Sequence, residues 1–317
     1  MNVPILSILM PVYNVENYIE EAVYSILNQT FRDFELIILD DCSPDKSLQI
    51  VKKIIDPRIR IYHGEKNVGL ANILNVGLKL ARGKYIGRMD SDDISDLSRF
   101  EKQITYMESH PDVDLCSCAM ELFGAKNDIW IRNSNFEEIK ISALFFSPIL
   151  HASSVWRRKS FEGLEFRQEM VPAEDYDLWT RAIAKGLRLI NIPEVLYKYR
   201  IHPTQITTNV SSVQKLSDVK TNYLHMIFPN GDVDDINIVD VICENDLYIL
   251  KKSINKLLDI NKINSFFNPT LLKKRLWNYY CVQVIKLFNR RINIKLLKGL
   301  PIKWKFRYIY KYFKNLF

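Results

Sequence analysis

Apolar residues in the first ninety positions fall into short blocks that alternate between two periods. ILSILM (5–10) is a continuous apolar run ending at Pro11, as expected of a strand buried on both faces. From Glu16 to Gln29, Ile19, Val23, Ile26 and Leu27 recur at helical spacing. Asn14 is placed to cap that helix, and Glu16, Glu20 and Glu21 suit its positive end. FELIIL (34–39) predicts a second strand, closed by Asp40-Asp41-Cys42-Ser43-Pro44, and a helix follows through Ile55. RIRIYH (58–63) predicts a third strand, Leu70 to Arg82 a helix with Gly83 as its C-terminal cap, and YIGRM (85–89) a fourth strand. Strand and helix at this crossover spacing predict an α/β fold, with a mostly parallel sheet and helices on both faces. Ligands of such sheets bind beyond the C-terminal strand ends. Three of those ends are polar here, Pro11-Val12-Tyr13-Asn14, Asp40-Asp41 and Asp90-Ser91-Asp92, and are predicted to converge on one crevice.

The alternation stops near residue 96. From about Leu97 to Arg200 helices mix with short strands such as VDLCSC (113–118) and SSVWRR (153–158). After about residue 205 the composition changes. TTNVSSVQ (207–214) resembles a linker, and the remainder is mainly helical in pattern. The predicted organisation is a catalytic domain over 1–205, with halves 1–96 and 97–205, and a basic helical region over 206–317.

Charge sharpens that division. From Lys251 onward there are 17 Lys and Arg against the single acid Asp259, whereas the preceding residues hold 27 basic and 36 acidic side chains. An acidic body with a basic tail suggests that the tail meets an anionic surface. No apolar run is long enough to predict a transmembrane helix, and MNVPILSILMPVYN reads as a first strand rather than a signal peptide. Five cysteines, an odd and sparse set, suit a reducing cytosol. Cys116 and Cys118 read as buried strand residues, since no second Cys or His pair stands at zinc spacing.

Candidate chemistry concentrates in acids. The first strand is followed by MPVYNVEN, with no glycine, and no G-x-x-x-x-G-K-[ST] occurs, so neither a dinucleotide fingerprint nor a P-loop is present. In YIGRMDSDDISD, Asp90 and Asp92 would project to the same side if the segment stayed extended. Two hard carboxylates suit Mg²⁺ or Mn²⁺, with water and a substrate phosphate filling the other positions. A solvated acidic turn is the plainer alternative. In VPAEDYDLWTRA (171–182), Glu174, Asp175 and Asp177 stand at a helix start, where they either cap the helix or supply a base for an attacking hydroxyl. Arg200 can meet a phosphate through two nitrogens, and His202 can meet a metal or the diphosphate.

Taken together, SILMPVYNVENYIEEAVYSILNQTF, FELIILDDCSPDKS, NVGLANILNVGLKLARGKYIGRMDSDD, AEDYDLWTRA and YRIHPTQIT resemble the family 2 glycosyltransferases over about residues 4–205. These are inverting enzymes with the GT-A fold, a Rossmann-like sheet. The resemblance implies that Pro11, Tyr13 and Asp41 surround the nucleotide base, with Asn14 and Glu16 nearby. It places Asn67, Gly69, Ser91 and Arg88 on the nucleotide side. It assigns Asp90 to ribose or metal, Asp92 to metal and diphosphate, and Asp175 to the catalytic base, supported by Glu174. Cys42 stands where the family usually has glycine.

The implied activity is metal-dependent hexosyl transfer from a UDP-sugar to an oligosaccharide hydroxyl, the acceptor being lipid-linked, in cell-surface polysaccharide synthesis on the cytoplasmic face of the membrane. KLFNRRINIKLLKGLPIKWKFRYIYKYFKNLF (286–317) interleaves cations with aromatics and suits an anionic lipid surface. It carries no recognised nucleic-acid reader. Packing of the basic region on the catalytic body, or on a second copy of the chain, is the plainer arrangement. A metal-dependent nucleotidyltransferase and a non-catalytic sugar-nucleotide scaffold on the membrane are the competing functions.

Overall fold

The computed structural model describes residues 3–202, 212–238 and 243–291. Two compact units divide the chain, Met1–Ile227 and Phe228–Phe317.

In the first unit, strands β1 (Leu6–Val12) and β2 (Phe34–Asp40) are buried at every position, as their unbroken apolar runs require. Helix α1 (Ile19–Leu27) lies between them in sequence and buries Ile19, Ala22, Val23, Ile26 and Leu27. Helix α2 (Ser47–Lys52), strand β3 (Ile59–His63), helix α3 (Leu70–Leu80) and strand β4 (Tyr85–Arg88) complete the alternating half. The strands run parallel in the order β3-β2-β1-β4.

Beyond β4 come the short strand β5 (Ile94–Ser95), helix α4 (Arg99–Ser109), strands β6 (Leu115–Gly124) and β7 (Asp128–Trp130), and helix α5 (Phe136–Ser142). Strand β8 (Val155–Arg157), helix α6 (Glu174–Ala184) and strand β9 (Leu189–Ile201) follow. They extend the same sheet as β4-β8-β6-β9-β5, with β8 antiparallel to β4 and β6, β5 antiparallel to β9, and β7 pairing with β6. Helix α7 (Ser212–Ile227) packs on α6 and belongs to this unit. Of the expected linker 207–214, residues 207–211 lie outside the described residues and 212–214 begin α7 instead, and 292–317 of the basic tail also lies outside the described residues.

The second unit contains the helices α8 (Glu244–Asn264) and α9 (Pro269–Arg291), which pack on each other. Among the described residues no helix is long and apolar enough to cross a membrane.

Two local expectations are corrected, and the Cys42 position is explained. Asn14 does not cap α1: it has φ 56°, and a turn with Tyr18 N–H on the Val15 carbonyl delays the helix to Ile19. Gly83 does not cap α3, which ends at Ala81 in extended conformation. Glycine is needed at 83 because a Cβ there would lie 2.6 Å from the Ser7 amide nitrogen, so the chain crosses β1 at backbone contact. Cys42 has φ 58°, the left-handed region that favours glycine, so the departure from glycine there carries strain of about 1–2 kcal/mol.

Candidate active site

The C-terminal ends of β1, β2 and β4 open on a cleft of about 480 Å³. It is lined by Pro11, Tyr13, Asn14, Asp41, Asn67 and Gly69 on one side, and by Asp90, Ser91, Asp92, Tyr199 and His202 on the other. Thus most of the nucleotide-side residues proposed from sequence meet in one place. Glu16, Arg88 and Arg200 are not part of this lining.

The two aspartates closing β2 diverge. Asp40 is fully buried and pairs with His63 Nδ1 at 2.6 Å. Asp41 turns toward the cleft, and its carboxylate accepts the amide N–H groups of Val68 (2.8 Å) and Gly69 (2.9 Å). Gly69, at φ 86°, immediately precedes α3, so Asp41 fixes the loop that forms the cleft wall. Tyr13 lines the cleft and is half exposed.

The DSD segment is a turn rather than a continued strand, which corrects the extended reading. Asp90 folds back onto Arg88, whose Nη2 donates to its Oδ1 at 2.5 Å, and its amide N–H is accepted by the Tyr197 hydroxyl at 3.1 Å. Asp92 instead meets His202 Nε2 at 2.9 Å. Burial and the neighbouring Asp90 push the Asp92 carboxyl upward, and His202 opposes this. Among the described residues no three His, Cys, Asp or Glu side chains surround one point. The expected ligand set of Asp90, Asp92 and His202 therefore resolves into an Asp92–His202 pair, with Asp90 beside it and bound to Arg88.

Arg88 is almost completely buried beneath the cleft, where it also donates through Nε to His151 Nε2 at 3.1 Å and through Nη1 to the Met89 carbonyl. His151 Nε2 thus accepts a hydrogen bond from the Arg88 Nε–H, and burial beside that cation holds the imidazole well below its usual range. Arg200 stands beside the cleft residues Tyr199 and His202, in β9 and its flank, without lining the cleft itself. Its Nε donates to the Asp92 carbonyl at 2.7 Å and its Nη2 to Glu21 at 2.5 Å, so it shapes the turn that presents Asp92. Glu16 accepts the Lys46 amide at 2.9 Å, tying α2 to the loop after β1.

The second group of acids opens α6. Glu174 is buried and its Oε2 has no hydrogen-bond partner. Burial, then the adjacent Asp175, pushes it up to about 7, and Asp90 adds to this. Burial pushes Asp175 up to about 6, against amide donors and the Ser147 hydroxyl, which donates to its Oδ2 at 3.2 Å; Asp90 again acts to raise it. Asp177 has a different role, buried in an ion pair with Arg181 at 2.8 Å. The acids of α6 therefore share an electrostatic environment with Asp90 of the cleft. His151 and Ser147 gave no signal in the sequence, because each reaches the site through a contact distant along the chain, with Arg88 and Asp175 respectively. Cys116 and Cys118 are buried in β6, as expected.

Residues 7–164 match the sequence profile described as "Glycosyl transferase family 2". An uncharacterised glycosyltransferase of Haemophilus influenzae is 29% identical over 94% of this chain and 96% of its own length. One from Methanocaldococcus jannaschii is 34% identical over 63% of this chain and 72% of its own length. An Escherichia coli protein described as UDP-Glc:alpha-D-GlcNAc-diphosphoundecaprenol beta-1,3-glucosyltransferase WfaP is 28% identical over 65% and 80%. Among solved structures, Staphylococcus aureus TarS 1–349 with UDP-GlcNAc superimposes with TM-score 0.58 at 19% identity, covering 88% of this chain and 90% of that one. A Pyrobaculum calidifontis mannosyltransferase with GDP-Man and Mn²⁺ gives TM-score 0.53 at 15% identity, over 91% and 88%. The sheet is that of the GT-A glycosyltransferases. The chain belongs to glycosyltransferase family 2.

Proposed function

We propose that this glycosyltransferase moves a hexose from a UDP-sugar, with inversion, to a hydroxyl of a lipid-linked oligosaccharide during synthesis of a cell-surface polysaccharide. The observation that carries this reading is the convergence of Tyr13, Asp41, Asn67, Asp90 and Asp92 on one cleft at the strand ends of a family 2 glycosyltransferase sheet. Such a cleft suits a nucleotide with its diphosphate. WfaP, described as using UDP-Glc and a diphosphoundecaprenol-linked sugar, supports the choice of donor and acceptor class.

In this reading Tyr13 stacks on the uracil and Asp41 accepts its N3 proton, while Asn67 and Gly69 line the nucleotide and Pro11 and Asn14 close around it. Asp175 accepts the proton of the acceptor hydroxyl as that oxygen attacks the anomeric carbon opposite the departing UDP. A single displacement inverts the configuration, so no covalent enzyme intermediate and no Ser or Cys nucleophile is needed. Glu174, raised to about 7 and so about half protonated at neutral pH, orients Asp175 or donates to the sugar in this reading.

The donor set of the Asp92–His202 pair fits Mg²⁺ or Mn²⁺, which take few protein ligands and leave positions for water and phosphate. Burial and the neighbouring Asp90 disfavour the charged form of Asp92 in the free protein, and a cation would relieve both. Such an ion would supply positive charge to the leaving diphosphate. Calorimetric titration with UDP tests this site. Asp92→Ala is expected to weaken UDP binding in Mn²⁺ by roughly 10–100-fold and to abolish the difference that Mn²⁺ makes. Equal affinities for variant and wild type, with and without Mn²⁺, would remove the metal role.

The second unit supports a peripheral position on the inner face of the membrane. Helix α9 exposes Val282 and Ile285, three apart, on a helix that also exposes Lys273, Lys274 and Lys286. Exposed apolar side chains among cations suit an anionic lipid boundary. Co-sedimentation with phosphatidylglycerol vesicles is expected at low salt and to decline at high salt. Failure to sediment at low salt would refute membrane association.

A further inference from the structure

Arg132 follows β7 on the loop that leads into α5. Its backbone position is fixed by Asn191, a buried residue whose Nδ2 donates to the carbonyls of Asn133 (2.7 Å) and Pro148 (3.1 Å). One amide therefore fastens the neighbour of Arg132 to the neighbour of Ser147. Ser147 in turn donates to Asp175 Oδ2. The Arg132 guanidinium lies over the Phe146 ring, 5.1 Å from its centroid. Its Nε is buried without a hydrogen-bond partner, and among the described residues the group forms no ion pair within 4 Å. Burial lowers its basicity, and Asp175 is the charge that acts against this.

The buried Nε is an unused donor on a half-buried cation, which is costly unless a ligand supplies the acceptor. Arg132 does not line the nucleotide-side cleft, so the donor diphosphate is not its natural partner. Its loop is tied through Asn191 to the loop of Ser147, which donates to Asp175, assigned above to the acceptor hydroxyl. Its guanidinium lies over Phe146, which is 43% exposed and can lie beneath a sugar ring. Neutral sugar hydroxyls would satisfy the donor but not the charge. An oxyanion satisfies both, and the guanidinium can grip it through two nitrogens. We propose that Arg132 and Phe146 form an acceptor subsite for a saccharide bearing a phosphate or carboxylate on the sugar that presents the attacking hydroxyl. The assignment of this subsite to the acceptor rests on the glycosyl-transfer reading with Asp175 as base.

The test uses the full chain saturated with UDP and Mn²⁺. Saccharide dissociation constants are measured by ligand-observed NMR for N-acetylglucosamine 1-phosphate, glucuronic acid and their neutral counterparts, methyl N-acetylglucosaminide and glucose. At least one anionic sugar is expected to bind roughly 10–100-fold tighter than its neutral counterpart. Which of the two does so separates a phosphate from a carboxylate acceptor. Arg132→Gln is expected to bring that ratio close to one while UDP affinity stays within about two-fold. Arg132→Lys, which keeps the charge, is expected to retain part of the preference. Absence of any anionic preference in the wild type, or an unchanged ratio in Arg132→Gln, overturns the proposal. An equal loss of affinity for charged and neutral sugars also overturns it, since that would mark Arg132 as support for the fold or for Asp175. If Asp175→Asn still transferred sugar, the base would be misassigned, yet the anionic preference would stand as a separate result.

Discussion

Asp175→Asn is expected to lower sugar transfer by roughly 10²–10⁴-fold while leaving UDP affinity unchanged. The substitution keeps the shape of the side chain and an oxygen for the Ser147 hydroxyl, but removes the basic oxygen that accepts the acceptor's proton. Asp175 is not among the residues lining the nucleotide-side cleft, so calorimetry should return the same UDP dissociation constant. A UDP-release assay reads the loss, and near-normal turnover would remove Asp175 from the mechanism. Its titration gives a second readout. Burial raises Asp175 to about 6 and Glu174 to about 7, so the proton-accepting form is scarce below these values. The two groups interact, so the profile reports the pair rather than either residue. In the wild type kcat/KM should therefore rise with pH across the interval from about 6 to about 7. Residual activity of the Asn variant should lose that dependence on Asp175.

The parallel half of the fold was legible because β1, β2 and β4 are buried on both faces, which leaves continuous apolar runs between polar ends. The later half was less so. Strand β9 spans thirteen residues, yet it contains Pro193, Glu194 and Lys198, and register shifts against Cys118 and Ala119 break its alternation. The DSD turn could not be read from spacing, since its course is set by Arg88 and Tyr197 holding Asp90 and by Arg200 holding the Asp92 carbonyl. Residue type alone did not reveal that the Arg200 guanidinium donates to the Asp92 carbonyl and to Glu21. Ser147 and Arg132 carry no periodic signal because the buried amide of Asn191 brings their loops together. Sequence pattern thus revealed the acids that carry charge into the site, and tertiary hydrogen bonds determine where each one points.

Glu35→Gln should destabilise the first unit without touching the cleft. Glu35 lies in β2 beside Ser7 of β1, buried to 3% exposure. Its carboxylate accepts from the Ser7 hydroxyl at 2.6 Å, the Arg82 amide at 3.0 Å, Arg82 Nη2 at 2.7 Å and Arg60 Nη1 at 2.6 Å. Burial alone would raise this acid. The hydrogen bonds from Ser7, Arg82 and Arg60 outweigh that and bring it from 4.5 to about 2. A displacement of this size corresponds to about 3 kcal/mol. The sign follows from the lowered value: the stabilisation is fully present above about 4.5 and is lost as pH falls toward about 2. Ser7 also receives the Gly83 amide at 2.8 Å, so the same carboxylate steadies the close crossing that glycine permits. Gln keeps the shape but offers a neutral oxygen and an amide that faces other donors. In urea unfolding at pH 7 the variant is expected to lose about 2–3 kcal/mol, and the gap from wild type should close as pH is lowered from 4.5 toward 2. An unchanged midpoint at pH 7 would show that water screens the two arginines, which are 43% and 36% exposed, well enough to replace the knot.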